Sequence, residues 1–391
     1  MSKRIYVRSF SSISALGRGL DAQAANLRKG ISPGMGRSGA WRKHQAPAYV
    51  GTVPGDFSPV SDKVHDTRNN RILQACVAEM ASEIRSCVET VGPERFAIIA
   101  GTSTSGIAEA ETALFSSPPG SISKEYDYSR QEFGSPADFL RDLLKTTGPT
   151  YALSTACTSS TNAFASARRL LRHGLADAVL VIGADSLCRT TVEGFISLEA
   201  VSDECCLPMS ANRRGINIGE GAGAFLLTTE QGPIELLGVG ESCDAFHLSS
   251  PDPQGRGAEA AIRAALKDAD LAPEDIGYVN LHATGTQKND EMESLAMARV
   301  FPAGVDCSGT KALTGHALGA AGALEAAICC LAIMHDMHPP HVWDDKPDPK
   351  LPALRLSKTG QSFEPGSRRI CMTNNFAFGG SNVSLIFGKP R

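Results

Sequence analysis

The stretch 151–183, YALSTACTSSTNAFASARRLLRHGLADAVLVIG, decides the fold of this chain. A short apolar run leads to Cys157, small polar residues follow, and a helix with apolar residues along one face extends to Gly174. The apolar run Ala178–Gly183 then has the composition of a strand buried on both faces. Strand, turn, helix and strand in this order predict an α/β unit with a cysteine at the first turn.

The flanking sequence extends this unit into a larger sheet. Preceding it are a helical run, a buried strand and a second helix, at Asn69–Val91, Phe96–Ala100 and Pro136–Thr147. Residues 32–62 are rich in Pro, Gly and Ser and predict loop. A further strand is expected at Gly221–Thr228.

The second half repeats the same pattern. Its predicted helices are 258–269, 290–301 and 317–335, and its predicted strands are 277–281, 369–373 and 383–387. No strong residue identity links the halves, so the repeat is one of pattern only. The sequence therefore predicts two similar doubly wound α/β halves, residues 1–235 and 236–391.

Composition agrees with a large globular protein and excludes several classes of function. Of 391 residues, 42% are hydrophobic and 20% are charged, which is too little charge for a disordered chain. The net charge of −4 and the lack of a strong basic cluster argue against a nucleic-acid partner. The 38 glycines follow no collagen period and are expected singly, where the backbone requires them.

The cysteines and the apolar segments indicate the cellular compartment in which the protein is expected. Eleven scattered cysteines, with neighbours such as Cys205 and Cys206 and no CxxC pattern, predict reduced thiols in the cytoplasm and no bound metal. The N-terminus lacks the apolar core of a signal peptide. The apolar stretch from Ala317 to Met334 is interrupted by glycines and Glu325, so we expect a buried helix and no membrane span.

Three reactive side chains follow predicted strands. Cys157 precedes a helix whose free N–H groups and dipole would stabilise a thiolate, while His282 and His316 lie in short runs of small residues. Active sites of open α/β sheets lie at the carboxyl ends of strands, so the three could converge on one pocket. A buried structural cysteine and ordinary structural histidines are the alternatives.

Other motifs lead to weaker expectations. Lys311 is either a surface lysine or, if buried, a partner for Glu325. The alternating glycines of Gly219–Gly223 lead into a strand, whereas a dinucleotide fingerprint needs a helix there. Three histidines at 335, 338 and 341 resemble a metal-binding run, but two prolines break the helix that would align them.

Four sequence blocks together resemble a known family. These blocks are Thr155-Ala-Cys-Thr-Ser-Ser160, His282-Ala-Thr-Gly-Thr286, Lys311-Ala-Leu-Thr-Gly-His316 and Asn375-Phe-Ala-Phe-Gly-Gly-Ser-Asn382. In this order they resemble the signature of the elongating β-ketoacyl-acyl-carrier-protein synthases of the thiolase superfamily. The resemblance spans nearly the whole chain. It implies a five-layered αβαβα fold of two similar halves, usually assembled as a homodimer.

The resemblance also implies an activity and the residues that carry it. Cys157 takes an acyl group from a carrier-protein thioester, and His282 and His316 serve malonyl decarboxylation and stabilise the enolate. The Claisen condensation that follows lengthens the chain. The backbone N–H groups of Cys157 and Phe378 form the oxyanion hole, and Lys311 with Glu325 orders the site. No cofactor is tightly bound, because the acyl groups arrive on the phosphopantetheine of acyl carrier protein.

Further residues are implied to contact the substrate or its carrier. Thr284 and Thr286 match the threonines that hold the pantetheine arm, and Phe378 matches a gating phenylalanine. The acyl group would contact positions matched by Ile107, Phe195 and Phe376. Because the carrier is expected to be acidic, a local basic patch is needed, and its candidates are Lys63, Arg68 and Arg71.

Departures from the family pattern leave the pathway open. Ala283 stands where the family usually has glycine, and Leu207-Pro-Met-Ser210 replaces the common Arg-Pro-aromatic block. These leave room for a specialised enzyme resembling those of aryl-polyene or polyketide pathways, beside fatty-acid elongation. The chain is either an elongating enzyme, a non-condensing thioester enzyme of the same fold, or a non-catalytic or decarboxylating subunit of a ketosynthase heterodimer.

Overall fold

The computed structural model describes residues 3–41, 47–118, 121–124 and 126–390. The strands are β1 Tyr6–Ser14, β2 Gly17–Arg18, β3 Met35–Ser38, β4 Ala48–Gly51, β5 Phe96–Gly101, β6 Thr150–Leu153, β7 Ala178–Asp185, β8 Gly221–Thr228, β9 Ile234–Cys243, β10 Tyr278–Leu281, β11 Asp306–Gly309, β12 Arg355–Leu356, β13 Ile370–Phe376 and β14 Ser381–Gly388. The helices are α1 Leu20–Lys29, α2 Arg68–Ala78, α3 Ala81–Val91, α4 Ile107–Phe115, α5 Ser135–Leu144, α6 Ser159–Arg172, α7 Arg189–Ser197, α8 Arg256–Ala269, α9 Gln287–Val300, α10 Lys311–Thr314 and α11 Ala321–His335.

The main strands of the first half form a mixed sheet in the spatial order β6-β5-β7-β8-β1. Numbered along the chain within this half, that order is 3-2-4-5-1. The pairs β5–β6 and β5–β7 are parallel, whereas the pairs β7–β8 and β8–β1 are antiparallel. Strand 5 of this half, β8, therefore runs against its neighbours on both sides.

The second half has the same topology. Its order β11-β10-β13-β14-β9 is again 3-2-4-5-1, with β12 added at the edge. The pairs β10–β11 and β10–β13 are parallel, and the pairs β13–β14 and β14–β9 are antiparallel. The first strands of the two halves, β1 and β9, pair with each other. We propose that the halves divide just before β9, close to the predicted boundary after residue 235.

Helices and sheets alternate in five layers. The helices α6 and α11 lie in the middle, where α11 contacts β13 and β14 of its own half and β1, β7 and β8 of the other. The helices α2 and α5 cover the outer face of the first sheet, and α8, with α9 beside it, covers the outer face of the second. Three apolar cores fill the spaces between these layers. The two doubly wound halves agree with the residue patterns, and their αβαβα arrangement is the one that the family resemblance implies.

The central helix α11 is apolar around most of its circumference, Glu325 excepted, as expected for a helix that is largely buried. The segment Leu318–His335 is long and apolar enough to cross a membrane, but 89% of it is buried inside the protein. Since the two sheets cover it, the prediction of a buried core helix at this position is confirmed.

Local structure differs from the prediction in several places, and helices α1, α4 and α7 and strand β11 were not predicted. The single helix expected at 69–91 is two helices, α2 and α3, because the chain leaves the helical conformation at Met80, whose side chain is buried. Part of the predicted 32–62 loop forms the hairpin β3–β4. The sequence patterns also missed β1 and β9, the two strands through which the halves join.

Candidate active site

Cys157 lies in a tight turn between strand β6 and helix α6. The preceding Ala156 has a left-handed φ of 51°. The Ser159 hydroxyl donates to the Ala156 carbonyl and accepts from the Thr155 amide, at 2.6 and 2.9 Å. These bonds hold a backbone conformation that a residue other than glycine adopts at a cost. The turn places Cys157 immediately before the N-terminus of α6, as predicted.

His316 comes from the corresponding position of the second half, between β11 and α11. Its Nε2 lies 3.0 Å from Cys157 Sγ. The backbone around it is fixed by bonds to the strand-like segment 217–219, since His316 N–H donates to the Asn217 carbonyl at 2.7 Å. A Cβ on Gly315 would come within 2.7 Å of Gly219 Cα. The alternating glycines near 219 therefore serve close backbone approach and lead into strand β8, as predicted.

His282 follows β10 and lies beside His316, with ring centroids 5.3 Å apart and the planes nearly perpendicular. The Lys311 ammonium lies 3.3 Å from His282 Nδ1 and pairs with the Glu325 carboxylate. Glu325 also accepts from Asn375 Nδ2 at 2.6 Å. Because an ammonium can only donate, Nδ1 accepts and the His282 proton resides on Nε2.

Burial sets the protonation of these groups. It lowers the pKa of both His282 and His316 well below the usual value, and the nearby Lys311 cation lowers it further, so both imidazoles are neutral. Burial also raises the pKa of the Cys157 thiol to about 12, with Lys311 acting in the opposite direction. This is the reverse of the lowering expected from the helix N-terminus. Removal of the sulfur from water is the largest cause of this rise in pKa.

The buried donor atoms of Cys157, His282 and His316 all lie within 4.8 Å of one another, a spacing that could also suit a metal ion. However, Lys311 places a positive charge directly behind His282. A divalent cation in the cluster would face that charge at short range. The arrangement is better suited to moving protons and binding a developing anion.

A cavity of about 540 Å³ leads to this cluster. Its wall contains most of the residues implied to contact substrate: Phe195, Thr284, Thr286, Phe376 and Phe378. The Thr284 and Thr286 hydroxyls lie 2.9 Å apart. The ring of Phe378 stacks on that of Phe195 with centroids 5.7 Å apart, and is 39% exposed. Ile107 begins α4 and does not line this cavity.

The predicted docking patch is largely engaged inside the protein. The Arg68 guanidinium is bonded to both oxygens of the fully buried Glu220. Arg71 is bonded to both carboxylate oxygens of Asp66, with Nη2–Oδ2 at 2.7 Å. Neither these two arginines nor Lys63 line the cavity. The prediction failed to anticipate that both arginines have carboxylate partners of their own.

Several residues at the site were not singled out from sequence. Glu293 accepts from the His282 and Ala283 amides at 2.7 and 2.6 Å and so fixes the turn that carries His282. Arg214 and Lys288 are exposed at the cavity wall. A carboxylate eleven residues after a candidate histidine carries no recognisable spacing signal. Arg214 and Lys288 could have been recognised only if the position of the cavity entrance had been known.

The histidine run at 335–341 does not assemble a site. His341 Nδ1 accepts from the Gly309 amide at 3.0 Å, and its Nε2 lies 2.9 Å from the Pro208 carbonyl. Both ring nitrogens of His341 are therefore engaged in holding backbone. His338 packs its ring against Phe363 instead, with centroids 4.5 Å apart.

Sequence profiles identify the family to which this arrangement belongs. The N-terminal domain of β-ketoacyl synthases matches residues 54–232, and the C-terminal domain matches residues 234–343. The chain belongs to the β-ketoacyl synthase family. Its fold is the thiolase fold of that family.

Individual relatives cover the chain to different extents. A chain in the structure of the ketosynthase ApeO in complex with its chain length factor ApeC, from Xenorhabdus doucetiae, is 42% identical with a TM-score of 0.94, covering 99% of this chain and 98% of that one. The 3-oxoacyl-[acyl-carrier-protein] synthase 2 of Synechocystis is 29% identical, covering 99% and 98%. Nodulation protein E of Rhizobium meliloti is 38% identical over 252 residues, 61% of this chain and 62% of that protein. The chain thus matches about three-fifths of the length of this curated relative.

Proposed function

We propose that this protein is a condensing enzyme that extends a Cys157-bound acyl chain with the two-carbon unit of malonyl carrier protein. The observation that carries this proposal is the cluster of one thiol and two neutral imidazoles, with Cys157 Sγ 3.0 Å from His316 Nε2, at the end of a substrate-sized cavity. Such a set provides a nucleophile, a base and a hydrogen-bond donor for an oxyanion.

The first step is transfer of the acyl group to the cysteine. The resting thiol is protonated and donates to His316 Nε2, which takes the proton as sulfur attacks the thioester carbon. The carbon–sulfur bond to the carrier breaks, and the proton passes to the departing pantetheine thiolate. The N–H groups of Cys157 and Phe378 stabilise the tetrahedral oxyanion. Each such donor typically contributes about 3–4 kcal/mol.

The second step is decarboxylation and carbon–carbon bond formation. Malonyl thioester loses CO₂, and the electron pair moves into an enolate whose oxygen accepts from His282 Nε2–H. The enolate carbon then attacks the acyl–Cys157 carbonyl, and the Cys157 thiolate leaves and takes one proton from water. Lys311 fixes the His282 tautomer that this step requires. Thr284 and Thr286 line the cavity where they can hold the pantetheine arm.

Carrier protein and a second ketosynthase-like chain are the proposed partners. The Synechocystis relative is by name a 3-oxoacyl-[acyl-carrier-protein] synthase, and the Xenorhabdus structure is by description a ketosynthase in complex with its chain length factor. The greater identity to the latter favours a heterodimer over a homodimer, and a polyene-type pathway over fatty-acid synthesis. We place the enzyme in the cytoplasm because all eleven cysteines are free thiols.

The rim of the cavity is the proposed docking surface for an acidic carrier. Arg214 and Lys288 are exposed on the cavity wall, and among the described residues neither forms an ion pair. The Lys288 ammonium donates to Ser250 Oγ at 2.9 Å, a weak restraint that a phosphate could replace. Unpaired cations at the entrance are better placed for a carrier than Arg68, whose charge already neutralises Glu220.

Product analysis tests the function. The protein, with its partner chain if one is required, is incubated with acyl and malonyl carrier proteins, and the thioesters are identified by mass spectrometry. We expect β-ketoacyl carrier protein from the wild type and from Cys243→Ala, whose thiol is exposed, and none from Cys157→Ala. Release of CO₂ with only acetyl carrier protein formed would indicate a decarboxylating subunit. Full condensation by Cys157→Ala would overturn the mechanism.

A further inference from the structure

Asp185, the last residue of β7, is a buried carboxylate that the mechanism above does not use. Its Oδ1 accepts from Thr102 Oγ1 at 2.7 Å and from the Ser103 amide, the Thr104 amide and Thr104 Oγ1, each at 2.8 Å. Its Oδ2 accepts from the Ala320 amide at 3.0 Å. Because every partner of Asp185 is a donor, its carboxylate oxygens act only as acceptors. Burial raises the pKa of this carboxyl, and its hydrogen bonds lower it.

The single Oδ2 bond reaches into the other half of the molecule. Ala320 ends the tight turn Leu318–Ala320 that joins His316 to α11, and Leu318 has a left-handed φ of 47°. A Cβ on Gly319 of this turn would come within 2.7 Å of the Ser103 amide. The turn after His316 is thus held against the loop 102–104 by close packing and by one carboxylate oxygen.

The same loop contacts the nucleophile turn. Ser103 Oγ donates to the Ala156 carbonyl at 3.3 Å, and Ala156 is the left-handed residue that directs Cys157 into the site. One carboxylate therefore restrains the loop that contacts the Cys157 turn and also the turn that follows His316. These two turns come from different halves, and their relative position sets the sulfur–imidazole contact.

We propose that Asp185 is a positioning residue that fixes the distance between Cys157 and His316 by bonding to both halves at once. It touches no substrate and acts through the two turns. The inference rests on the proposed function for its effect on turnover. Its effect on the thiol can be measured without any acyl substrate.

The variant Asp185→Asn distinguishes the bonds that Oδ1 accepts from loop 102–104 from the bond that Oδ2 accepts from Ala320. The amide oxygen can accept from the four donors of loop 102–104, but the amide NH₂ then faces the Ala320 N–H, donor against donor. The tie to the His316 turn is lost while the loop is kept. Because misplacement of reacting groups by about 1 Å can cost about 100-fold, we expect turnover to fall roughly 10- to 100-fold. The KM for malonyl carrier protein should change less than about threefold, since Thr284 and Thr286 are untouched.

Alkylation of Cys157, read beside the melting temperature of each variant, provides a readout other than turnover. The charged groups that act on the thiol are Lys311, Glu325 and Asp185, and the first favours the thiolate whereas the carboxylates oppose it. The neighbouring imidazoles are neutral. Removing the Asp185 charge should therefore move the pH profile of iodoacetamide reaction toward lower pH, so that the variant reacts faster than wild type at a given pH while its turnover is lower.

Two further variants complete the experiment. Asp185→Glu keeps the charge but displaces it, so we expect reduced turnover with the wild-type alkylation profile. Asp177→Asn, at a surface ion pair with Arg95, should match wild type in both measurements. If Asp185→Asn has a native melting temperature and turnover within about threefold of wild type, the proposal is wrong. It is equally wrong if Asp185→Glu shifts the alkylation profile as far as Asp185→Asn does. If wild type does not condense at all, the proposed function fails, and the alkylation profiles still show whether Asp185 acts on Cys157.

Discussion

The two halves of the molecule have the same strand order but supply different chemistry from the same topological position. In each half the third strand leads toward the central helix, β6 through a short turn into α6 and β11 through the short helix α10 and a second turn into α11. Both turns contain a left-handed residue other than glycine, Ala156 in one and Leu318 in the other. The first half places Cys157 there and the second places His316. The shared strand order therefore brings His316 Nε2 and Cys157 Sγ, one from each half, to within 3.0 Å of each other.

The halves differ after their second strands. In the second half the loop after β10 supplies His282, which contacts Lys311. In the first half the loop after β5 supplies only hydroxyls and amides, and Asp185 binds the Thr102 hydroxyl, the Ser103 amide and both the amide and the hydroxyl of Thr104. At this position the second half supplies a reactive side chain, His282. The first half supplies a loop that supports the turn carrying Cys157. The predictions that follow test this difference between the roles of the two halves.

Removing the imidazoles should produce the largest effects. His316→Ala removes the base that contacts the sulfur, and we expect condensation and Cys157 acylation both to fall by about 10²–10⁴-fold. His282→Ala should lose malonyl decarboxylation to a similar degree but keep acylation, because His282 serves the enolate. Single-turnover assays of each step distinguish the variants. Equal loss of acylation in both would contradict separate roles for the two histidines.

Lys311 should matter to folding as well as to catalysis. Lys311→Met leaves Glu325 buried beside Asn375 without its cation, and losing one partner of a buried pair costs about 3–5 kcal/mol of unfolding free energy. Urea denaturation measures the loss. Adding Glu325→Gln should recover most of the stability but not the activity. If Lys311→Met alone is as stable as wild type, the ion pair does not have this structural role.

The thiol should titrate unlike an activated cysteine. Because burial raises the pKa of Cys157 to about 12, the thiolate fraction should rise about tenfold for each pH unit between pH 7 and 9. Iodoacetamide labelling of Cys157, followed by peptide mass spectrometry, gives the rate at each pH, with exposed Cys243 as the internal reference. A plateau of the Cys157 rate below pH 8 would show that the helix N-terminus outweighs burial.

The contact between the central helices should be sensitive to one added methyl group. A Cβ on Gly322 of α11 would overlap Thr161 Oγ1 of α6, so Gly322→Ala should destabilise the protein by about 1–3 kcal/mol. Gly194→Ala is the matched control. It lies within a helix, nothing lies within 4 Å of its added Cβ, and we expect no loss of stability. A stable Gly322→Ala protein would mean that the halves can separate to accommodate it.

The smallest effect is expected at the cavity rim. Reversing the charge of Arg214 and Lys288 together should raise the KM for carrier-protein substrates several-fold, and the increase should diminish at high salt. Lys63→Glu tests the patch predicted from sequence, because Lys63 has no carboxylate partner among the described residues. A larger effect of Lys63→Glu than of the Arg214 and Lys288 variant would support the docking patch that was predicted from sequence.

Much of the fold and site could be predicted because the relevant signals are local. Cys157 and His282 each follow an apolar strand within a run of small residues, and His316 lies in a similar run. The prediction that they converge needed only the topology of α/β sheets. Glu325 could be paired with Lys311 because a buried lysine requires a carboxylate. The first strands β1 and β9 were missed since serines and glycines interrupt their apolar pattern.

Other features depend on contacts between distant segments. Asp185 bonds to residues 82 and 135 positions away, and nothing in its own neighbourhood shows that. Arg68 looked available for a carrier because its partner, Glu220, lies 152 residues further along the chain. The thiol pKa was predicted in the wrong direction because the depth of burial depends on both halves.

The most direct test of the account follows the acyl group on Cys157 through one turnover. The protein is loaded with acyl carrier protein, freed of excess carrier, and then mixed with malonyl carrier protein while intact-protein mass spectrometry records the adduct. We predict one acyl adduct, located at Cys157, that disappears as β-ketoacyl carrier protein appears in equal amount. An adduct that persists while product forms, or product formed by the Cys157→Ala protein, would contradict the account.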